Sequence, residues 1–286
     1  THSHEGILIT DAEARIVEVN EAYCRMTGYH REALIGRNPR FLRAERQDSA
    51  TYTAMWAALK SQGHWSGEVW NRRRDGREYA QALTVSVVQG PDGRIANYVG
   101  LCADITERKT QQQHLERIAH FDILTGLPNR VLLIDRLRQA MGQTRRRGGR
   151  LALAYIDLDN FKSINDSHDH EIGDRVLAEV GQRMREALRE SDTVARIGGD
   201  EFVVLLGDLQ DAAALQPLLD RLQQTLSKPI PIGTLELPLS ASIGVTLYPQ
   251  DSELDAEQLL RQADQAMYGA KHAGRRQLCH FDSDLE

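Results

Sequence analysis

The sequence predicts an α/β chain in two domains: an α+β domain of antiparallel sheet with small helices over residues 1–105, a linker helix over 106–121, and an α/β domain over 122–286. Three observations carry that expectation. Up to about residue 105, β-branched and aromatic runs are separated by Asp-Gly and Pro-Asp-Gly turns. Residues 106–121 are polar and helix-favouring. From 122 onward, continuous apolar runs alternate with stretches of helical periodicity, the pattern of strands covered by helices. A chain of 286 residues is comfortable for two domains, each large enough to bury its own core.

In the first domain, residues 6–10 and 15–19 flank an acidic turn, and Asn20 is placed to cap a short helix carrying Ala22, Tyr23, Met26 and Thr27. Three longer strands follow. Residues 67–74 meet 77–85 across Asp75-Gly76, and Gly90-Pro91-Asp92-Gly93 turns the chain into a last strand over 94–105. In the linker, Leu115, Ile118 and Ala119 form the apolar stripe of an otherwise polar helix, too little to stabilise it alone. It reads either as a two-stranded parallel coiled coil between protomers or as a solvated spacer.

In the second domain, residues 151–156 read as a buried strand, with a helix over 172–190 carrying Val176, Leu177, Val180, Met184 and Leu188 on one face. Two further helical stripes, on Leu215, Leu218, Leu219, Leu222 and Leu226 and on Leu259, Leu260, Ala263, Ala266, Met267 and Ala270, bracket a strand over 237–248. The basic run of Arg145, Arg146, Arg147 and Arg150 is placed in the loop before the first strand, as solvated surface.

Composition narrows the function. There are 35 Lys plus Arg against 41 Asp plus Glu, net charge −6, which argues against a nucleic-acid partner. The three cysteines, Cys24, Cys102 and Cys279, are scattered without metal-ligand spacing, which fits small buried hydrophobes in a reducing, cytoplasmic compartment. No apolar run is long enough to span a bilayer, so no membrane contact by this segment is expected. Residue 1 is Thr rather than Met, which suggests a fragment of a longer protein, with room outside it for an inner-membrane anchor.

The chemistry concentrates at two places. Gly198-Gly199-Asp200-Glu201 lies between two short apolar strands, so it reads as a hairpin with two adjacent carboxylates at its tip. Such a turn is either solvated or occupied by a cation, Mg²⁺ with nucleotide phosphate being the usual guest. Asp157-Leu158-Asp159-Asn160-Phe161-Lys162 follows the strand over 151–156, putting Asp157 at a strand end. If the hairpin packs beside that strand, Asp157, a nearby backbone carbonyl and Asp200 supply hard oxygen ligands. Lys162 and the start of its helix add positive charge for phosphate. Asn165 and Asp174 have the donors and acceptors to grip a purine edge, the carboxylate suiting guanine N1 and N2.

Taken together, the opening Asp122-x-Leu124-Thr125-x-Leu127-x-Asn129-Arg130, the run 157–162, Asn165-Asp166, His170-x-x-Gly173-Asp174, Gly198-Gly199-Asp200-Glu201-Phe202 and Ala263-Asp264-x-Ala266-Met267-Tyr268-x-Ala270-Lys271 resemble the GGDEF family of diguanylate cyclases. The resemblance implies a nucleotidyl-cyclase-like α/β domain acting as a homodimer that condenses two GTP to cyclic di-GMP and two pyrophosphates. It implies two Mg²⁺ on Asp157, the Leu158 carbonyl and Asp200, with Glu201 as ligand or general base, Asp200 and Glu201 being the catalytic pair. Asn165 and Asp174 would read guanine above Leu177, while Phe161, Lys162, Lys271 and Arg275 would hold the phosphates. Arg189 and Asp192 match the family's inhibitory product site, at the end of the long helix, where cyclic di-GMP would act as inhibitor.

Residues 5–109, through Asn20-Glu21-Ala22-Tyr23, Met26-Thr27-Gly28-Tyr29, Trp65-Ser66-Gly67-Glu68 and Asp104-Ile105-Thr106-Glu107-Arg108-Lys109, resemble a PAS sensor domain with its C-terminal extension. Residues 36–42 look like the flavin-contacting stretch of light-sensing relatives, with Pro39 where those carry the adduct-forming cysteine. A non-covalent flavin is therefore the cofactor the resemblance leaves open. Trp65, Trp70 and Asn71 are candidates either for the pocket or for sheet packing, and no histidine stands out as a haem ligand. The segment 277–286 looks like a junction at which a phosphodiesterase domain begins, so the alternative function is a GTP-binding module that regulates such a domain.

Overall fold

The computed structural model describes residues 5–209, 214–233 and 235–282. The chain divides into two compact units, residues 1–114 and 115–286. Of the segment 277–286 expected to form a junction, residues 283–286 lie outside the described residues.

The first unit is a five-stranded antiparallel sheet in the order β2-β1-β5-β4-β3, formed by β1 (Gly6–Asp11), β2 (Ile16–Val19), β3 (His64–Arg72), β4 (Glu78–Gln89) and β5 (Ile95–Asp104). Three helices, α1 (Glu21–Thr27), α2 (Arg31–Leu34) and α3 (Ser49–Gln62), and a 3-10 turn at Pro39–Leu42 lie between β2 and β3. Asn20 caps α1 as its side chain predicts, its Oδ1 accepting from Tyr23 N at 2.9 Å. The β3–β4 hairpin turns at Asp75-Gly76, where Gly76 has φ +87°, a conformation open to glycine without steric cost. Tyr23, Leu34, Leu42 and Tyr79 fill the core. Of the three cysteines only Cys102 is buried, whereas Cys24 and Cys279 are half-exposed, so the expectation of three buried thiols holds for one.

Helix α4 (Thr106–His120) carries Leu115 and Ile118 exposed, 66% and 40%.

The second unit holds a five-stranded sheet in the order β12-β11-β6-β8-β7. Its strands are β6 (Arg150–Leu158), β7 (Thr193–Gly198), β8 (Glu201–Leu209), β11 (Ala241–Tyr248) and β12 (Leu278–His280), with a small separate ribbon of β9 (Ile230–Ile232) and β10 (Leu235–Leu237). The expected strand over 237–248 is thus split, Leu237 ending β10 and Ala241 starting β11. All pairings in the large sheet are antiparallel except β11 with β12.

Alternation along β6 sorts its two faces. Ala152, Ala154 and Ile156 face a core shared with α7 (His170–Glu186) and α8 (Gln216–Leu226). Leu151, Leu153 and Tyr155 face a second core with α5 (Arg130–Arg147) and α9 (Ala256–His272). Helix α5 takes in Arg145, Arg146 and Arg147, which form its last turn before Gly148 in the left-handed region rather than a loop. Asn129 caps that helix through Val131 N and Leu132 N, and Leu133, Ile134, Leu137 and Met141 give it a buried stripe. Helix α7 ends at Glu186, so Arg189 lies beyond it.

Candidate functional site

Asp157 and Glu201 are partners in register, where β6 ends and β8 begins. Asp157 continues the face of β6 that carries Tyr155, toward α9, and Lys271 near the end of that helix places Nζ 2.7 Å from Asp157 Oδ2. Leu158, next along, turns its side chain into the opposite core. Because the sheet is antiparallel, the site is not the carboxyl edge of parallel strands; it is where one strand ends against a neighbour's start. The hairpin is held to β6 by its own backbone, Leu158 N donating to Asp200 O at 3.3 Å. Gly199 has φ +44°, which a side chain would resist, and this lets the chain reverse with Asp200 at the turn.

The turn is fixed from behind by a residue that pattern reading did not single out. Arg196 donates from Nε and Nη2 to Gly199 O at 2.9 and 2.7 Å, and from Nη1 to both carboxylate oxygens of Asp122 at 3.0 and 3.1 Å. Asp122 in turn accepts from the N–H and hydroxyl of Thr125 at 2.9 and 2.7 Å. Burial would raise its pKa, but the Thr125 bonds and the Arg196 guanidinium outweigh that and hold it below the usual carboxylate range. The opening Asp-x-x-Thr is therefore a brace for the hairpin.

Asp159 is a second such brace. It is 5% exposed and accepts from Ser242 Oγ and Ser240 Oγ, both at 2.7 Å, and from Arg276 N at 3.1 Å. That ties the end of β6 to the segment entering β11 and to the loop after α9 that carries Arg275, whose side chain is exposed. Asp159 is committed to these bonds, whereas among the described residues the Asp157 carboxylate is bonded to Lys271 alone.

Negative charge is concentrated here. Burial, then the charges of Asp200 and Asp159, push the Asp157 carboxyl up against the opposing effect of Lys271. Burial, then the charges of Asp157, Asp264 and Asp200, raise Glu201, with a hydrogen bond from Tyr155 opposing. Crowded carboxylates of this kind are relieved by a cation. Two carboxylates, Asp157 and Asp200, with a backbone carbonyl at Leu158 and phosphate oxygens from a substrate, fit Mg²⁺, which is commonly held by one or two side chains plus phosphate. Among the described residues there is no cluster of three or more His, Cys, Asp or Glu able to hold a metal.

Beyond β6, Asn160 in the left-handed region leads into α6 (Phe161–Ser167). Phe161 is buried in the core and Lys162 is exposed. Asn165 on α6 lies against α7 at Gly173: a Cβ there would stand 1.9 Å from Asn165 Oδ1. Only glycine admits the Asn165 side chain at that spot, beside exposed Asp174 and, one turn on, buried Leu177. Asn165 and Asp174 side chains make no hydrogen bond among the described residues, so both are available to a ligand. A glycine also docks α9. At Gly244 of β11 a Cβ would meet Met267 N at 2.0 Å and Ala263 O at 2.2 Å, so the helix backbone rests on the strand and delivers Lys271 to Asp157.

Arg189 and Asp192 are joined in a turn apart from these groups. Arg189 N donates to Asp192 Oδ2 and Asp192 N to Arg189 O, each at 3.0 Å, leaving the Arg189 side chain exposed. Burial raises the Asp192 carboxyl, opposed by the Arg189 N–H bond.

In the first unit Asn71 and Pro39 line a cavity, whereas Trp65 and Trp70 do not. Trp65 lies over Gly67, and Trp70 carries the Arg46 guanidinium on its ring, so both serve sheet packing.

Comparison with known proteins assigns a family to each part of the chain. The family model "Diguanylate cyclase, GGDEF domain" matches residues 119–277, and a PAS domain model matches 4–107. The bifunctional diguanylate cyclase/cyclic di-GMP phosphodiesterase MucR of Pseudomonas aeruginosa is 42% identical over 206 residues, 72% of this chain and 29% of that protein. The cyclic di-GMP phosphodiesterase PdeR of Escherichia coli is 30% identical over 286 residues, 100% of this chain and 43% of that protein. The chain thus spans less than half the length of these relatives. The crystal structure of the GGDEF domain of TpbB from Pseudomonas aeruginosa matches with TM-score 0.53 and 39% identity, over 55% of this chain and 98% of that one. With the hairpin, its braces and the neighbouring strand end all in place, this chain belongs to the GGDEF diguanylate cyclase family and carries a PAS domain ahead of its GGDEF domain.

Proposed function

We propose that this chain is a diguanylate cyclase that condenses two GTP into cyclic di-GMP and two pyrophosphates, with two Mg²⁺ per active site. The observation that carries the reading is the register pairing of Asp157 with Glu201 beside Asp200, all motif positions being intact. Asp157, the Leu158 carbonyl and Asp200 would hold Mg²⁺, which when bound would lower the pKa of the ribose 3′-hydroxyl and offset charge on the α-phosphate and leaving group. Glu201 would take the hydroxyl proton or add a ligand. Asn165 and Asp174 grip the guanine edge over Leu177. Lys162, Arg275 and the backbone at Phe161 hold phosphates. Lys271 neutralises Asp157 and adds positive charge beside them.

Each domain binds one GTP, so two must face each other for either hydroxyl to reach the other's phosphate. Holding the pair in place supplies up to about 7 kcal/mol or more of the barrier by analogy with intramolecular reactions. The exposed Leu115 and Ile118 on α4 support a parallel helix pair between protomers as the device that sets this arrangement under PAS control. Exposed Arg189 with Asp192 forms the product site: Arg189 grips a phosphate or guanine Hoogsteen edge, and the product slows the enzyme. Progress curves with added cyclic di-GMP test this, Arg189→Ala being expected to relieve the slowing at unchanged initial rate.

A second reading has its own support. The relative matched over 100% of this chain is named a phosphodiesterase, and the chain spans 43% of it. In that reading the domain binds GTP without cyclising it and regulates a phosphodiesterase domain of the longer protein. Incubating the purified chain with GTP and Mg²⁺ separates the two. Cyclic di-GMP formation supports the cyclase, and GTP binding without product supports the regulator.

A further inference from the structure

Two carboxylates of one run grip the end of α9 at different points. Asp157 Oδ2 takes the Lys271 ammonium at 2.7 Å in the last turn of the helix, and Asp159 Oδ2 takes Arg276 N at 3.1 Å in the loop beyond it. The second contact holds backbone rather than a side chain, and the backbone it holds is unusual.

After α9, Gly274, Arg275 and Arg276 follow one another with φ of +123°, +62° and +55°. Glycine takes such angles freely, whereas a side chain there is crowded by its own backbone, so two successive arginines in this region need surroundings that hold them. Those surroundings converge on Arg276. Its N–H donates to Asp159 Oδ2, its Nε donates to Ser240 Oγ at 3.3 Å, and its carbonyl accepts from Gln223 Nε2 at 3.1 Å. Ser240 Oγ in turn donates to the same Asp159 oxygen at 2.7 Å, so backbone and side chain of Arg276 both lead to one carboxylate. Arg275 is held by its backbone, N donating to Ala270 O at 3.1 Å. Among the described residues its exposed guanidinium has no hydrogen bond and no ion pair.

This bracing exceeds what ending a helix needs. Ala273 N on Gly269 O at 3.0 Å already closes α9, and glycines at 275 and 276 would let the chain turn without strain. Strained backbone that its surroundings hold in place is characteristic of sites where a side chain is aimed.

We propose that Asp159 is a positioning residue for the triphosphate: through the left-handed Arg276 it fixes the loop from which Arg275 delivers its guanidinium to the substrate phosphates. The inference rests on the reading above in which Arg275 holds phosphate, and adds how that contact is secured. Asp159 works here as a hydrogen-bond acceptor, with Oδ1 taken by Ser242 and Oδ2 by Ser240 and Arg276. A planar fork binds phosphate well only when its approach is set, so a loop that relaxes to negative φ carries the guanidinium out of reach.

The test titrates the purified full chain, in Mg²⁺, with two probes and follows the heat. One is 3′-deoxy-GTP, which lacks the attacking hydroxyl and is not consumed; the other is guanosine, which keeps the base and has no phosphate. Arg275→Ala is expected to weaken 3′-deoxy-GTP about tenfold or more, the loss of one charged fork, and to leave guanosine unchanged. Asp159→Ala should reproduce that pattern, and Asp159→Asn should recover most of the loss because an amide oxygen can accept the Arg276 N–H. Asp159→Ala combined with Arg275→Ala should bind no more weakly than Arg275→Ala alone, since both act through one guanidinium. A second pair of variants leaves the buried carboxylate in place, and so remains informative if Asp159→Ala proves unstable. Arg276→Pro removes the N–H and forbids positive φ, and should match Arg275→Ala, whereas Arg276→Gly keeps the N–H and takes positive φ without steric cost, and should bind like the unsubstituted chain. Equal weakening of both probes by Asp159→Ala, additive losses in the double variant, or undiminished 3′-deoxy-GTP binding by Arg276→Pro each overturns the proposal, while cyclic di-GMP synthesis by the unsubstituted chain leaves the cyclase reading standing. Undiminished binding by Arg275→Ala overturns both the proposal and the phosphate assignment beneath it.

Discussion

Alanine at Gly173 and at Gly244 adds the same methyl group to two buried backbones, and the structure requires opposite consequences. At Gly173 the nearest atom to the new Cβ is Asn165 Oδ1 at 1.9 Å, followed by Asn165 Cγ at 3.0 Å and Phe161 Cζ at 3.3 Å. All belong to side chains. Asn165 is the free end of its residue and retreats by about 1 Å or more, while Phe161 gives by a few tenths of an ångström. Against that small strain, replacing glycine by alanine inside a helix favours the fold by about 0.8–1.0 kcal/mol. Stability should therefore be unchanged or slightly raised. A displacement of about 1 Å in a substrate-positioning group can cost up to about 100-fold in rate, so kcat/KM for GTP should fall by about 10–100-fold and the preference for GTP over ATP should shrink. At Gly244 the colliding atoms are Met267 N, Ala263 O and Ala266 C, all within 2.7 Å and all main chain. No rotamer relieves them. Helix α9 must lift from the sheet, opening the packing of Leu259, Ala263 and Met267 and withdrawing Lys271 from Asp157. Overpacking of this kind costs about 3 kcal/mol or more, a fall in Tm of about 6–12 °C for a domain of this size. Thermal melts paired with pyrophosphate release from GTP and ATP read both variants. A Gly173→Ala protein with wild-type GTP preference, or a Gly244→Ala protein with wild-type Tm, would refute the reasoning.

Glu201→Gln should abolish turnover without altering the melt, because an amide takes no proton and is a poorer Mg²⁺ ligand; retained synthesis of cyclic di-GMP would remove Glu201 from the chemistry. Asp122→Asn should weaken the brace on the Gly199 carbonyl and lower both stability and rate. The Asp122 pKa is depressed in the fold, so its contribution is present above the unfolded value of about 3.9 and is lost as pH falls through the folded value. Melts of wild type and Asp122→Asn should therefore differ at neutral pH and converge in acid, and a constant gap would count against the ion pair. Inserting four residues within α4 should change activity far more than inserting seven, which restores a heptad phase; equal effects would favour a simple spacer.

Much of this architecture was legible because local signals agree with one another. Asn20 before α1, Asn129 before α5 and the Asp75-Gly76 turn each announce their element by a side chain whose local bonding or conformational preference is met in the structure. The carboxylates on the hairpin and at the end of β6 were legible as a pair that wants a cation. Their register was not, since strand order depends on long-range packing that no local pattern encodes, and the antiparallel sheet follows from that order. The apolar periodicity carries the long helix four residues past its end at Glu186 because Leu188 keeps the stripe while packing beyond the last helical turn. The charge of Arg145, Arg146 and Arg147 suggests a loop in sequence, but the periodicity of Leu133, Leu137 and Met141 carries α5 through them.

The supports of the site were the least legible part, and they share a physical character. Arg196 reads as an exposed strand residue in sequence, yet its guanidinium satisfies a glycine carbonyl and a carboxylate 74 positions away. Asp159 follows Asp157 by two positions in sequence, yet it lies beyond the end of β6 and is taken up by the Ser240 and Ser242 hydroxyls, just before and within β11. Both are fully bonded within the protein, whereas Asn165 and Asp174 keep side chains unbonded among the described residues. Asp159 and Arg196 with their bonds filled hold the frame, whereas Asn165 and Asp174, partly buried and exposed respectively, keep bonds to spare for a ligand. The glycines at 173 and 244 extend that division: one clears space for a side chain that must stay free, the other lets a helix rest on a strand so that Lys271 reaches Asp157.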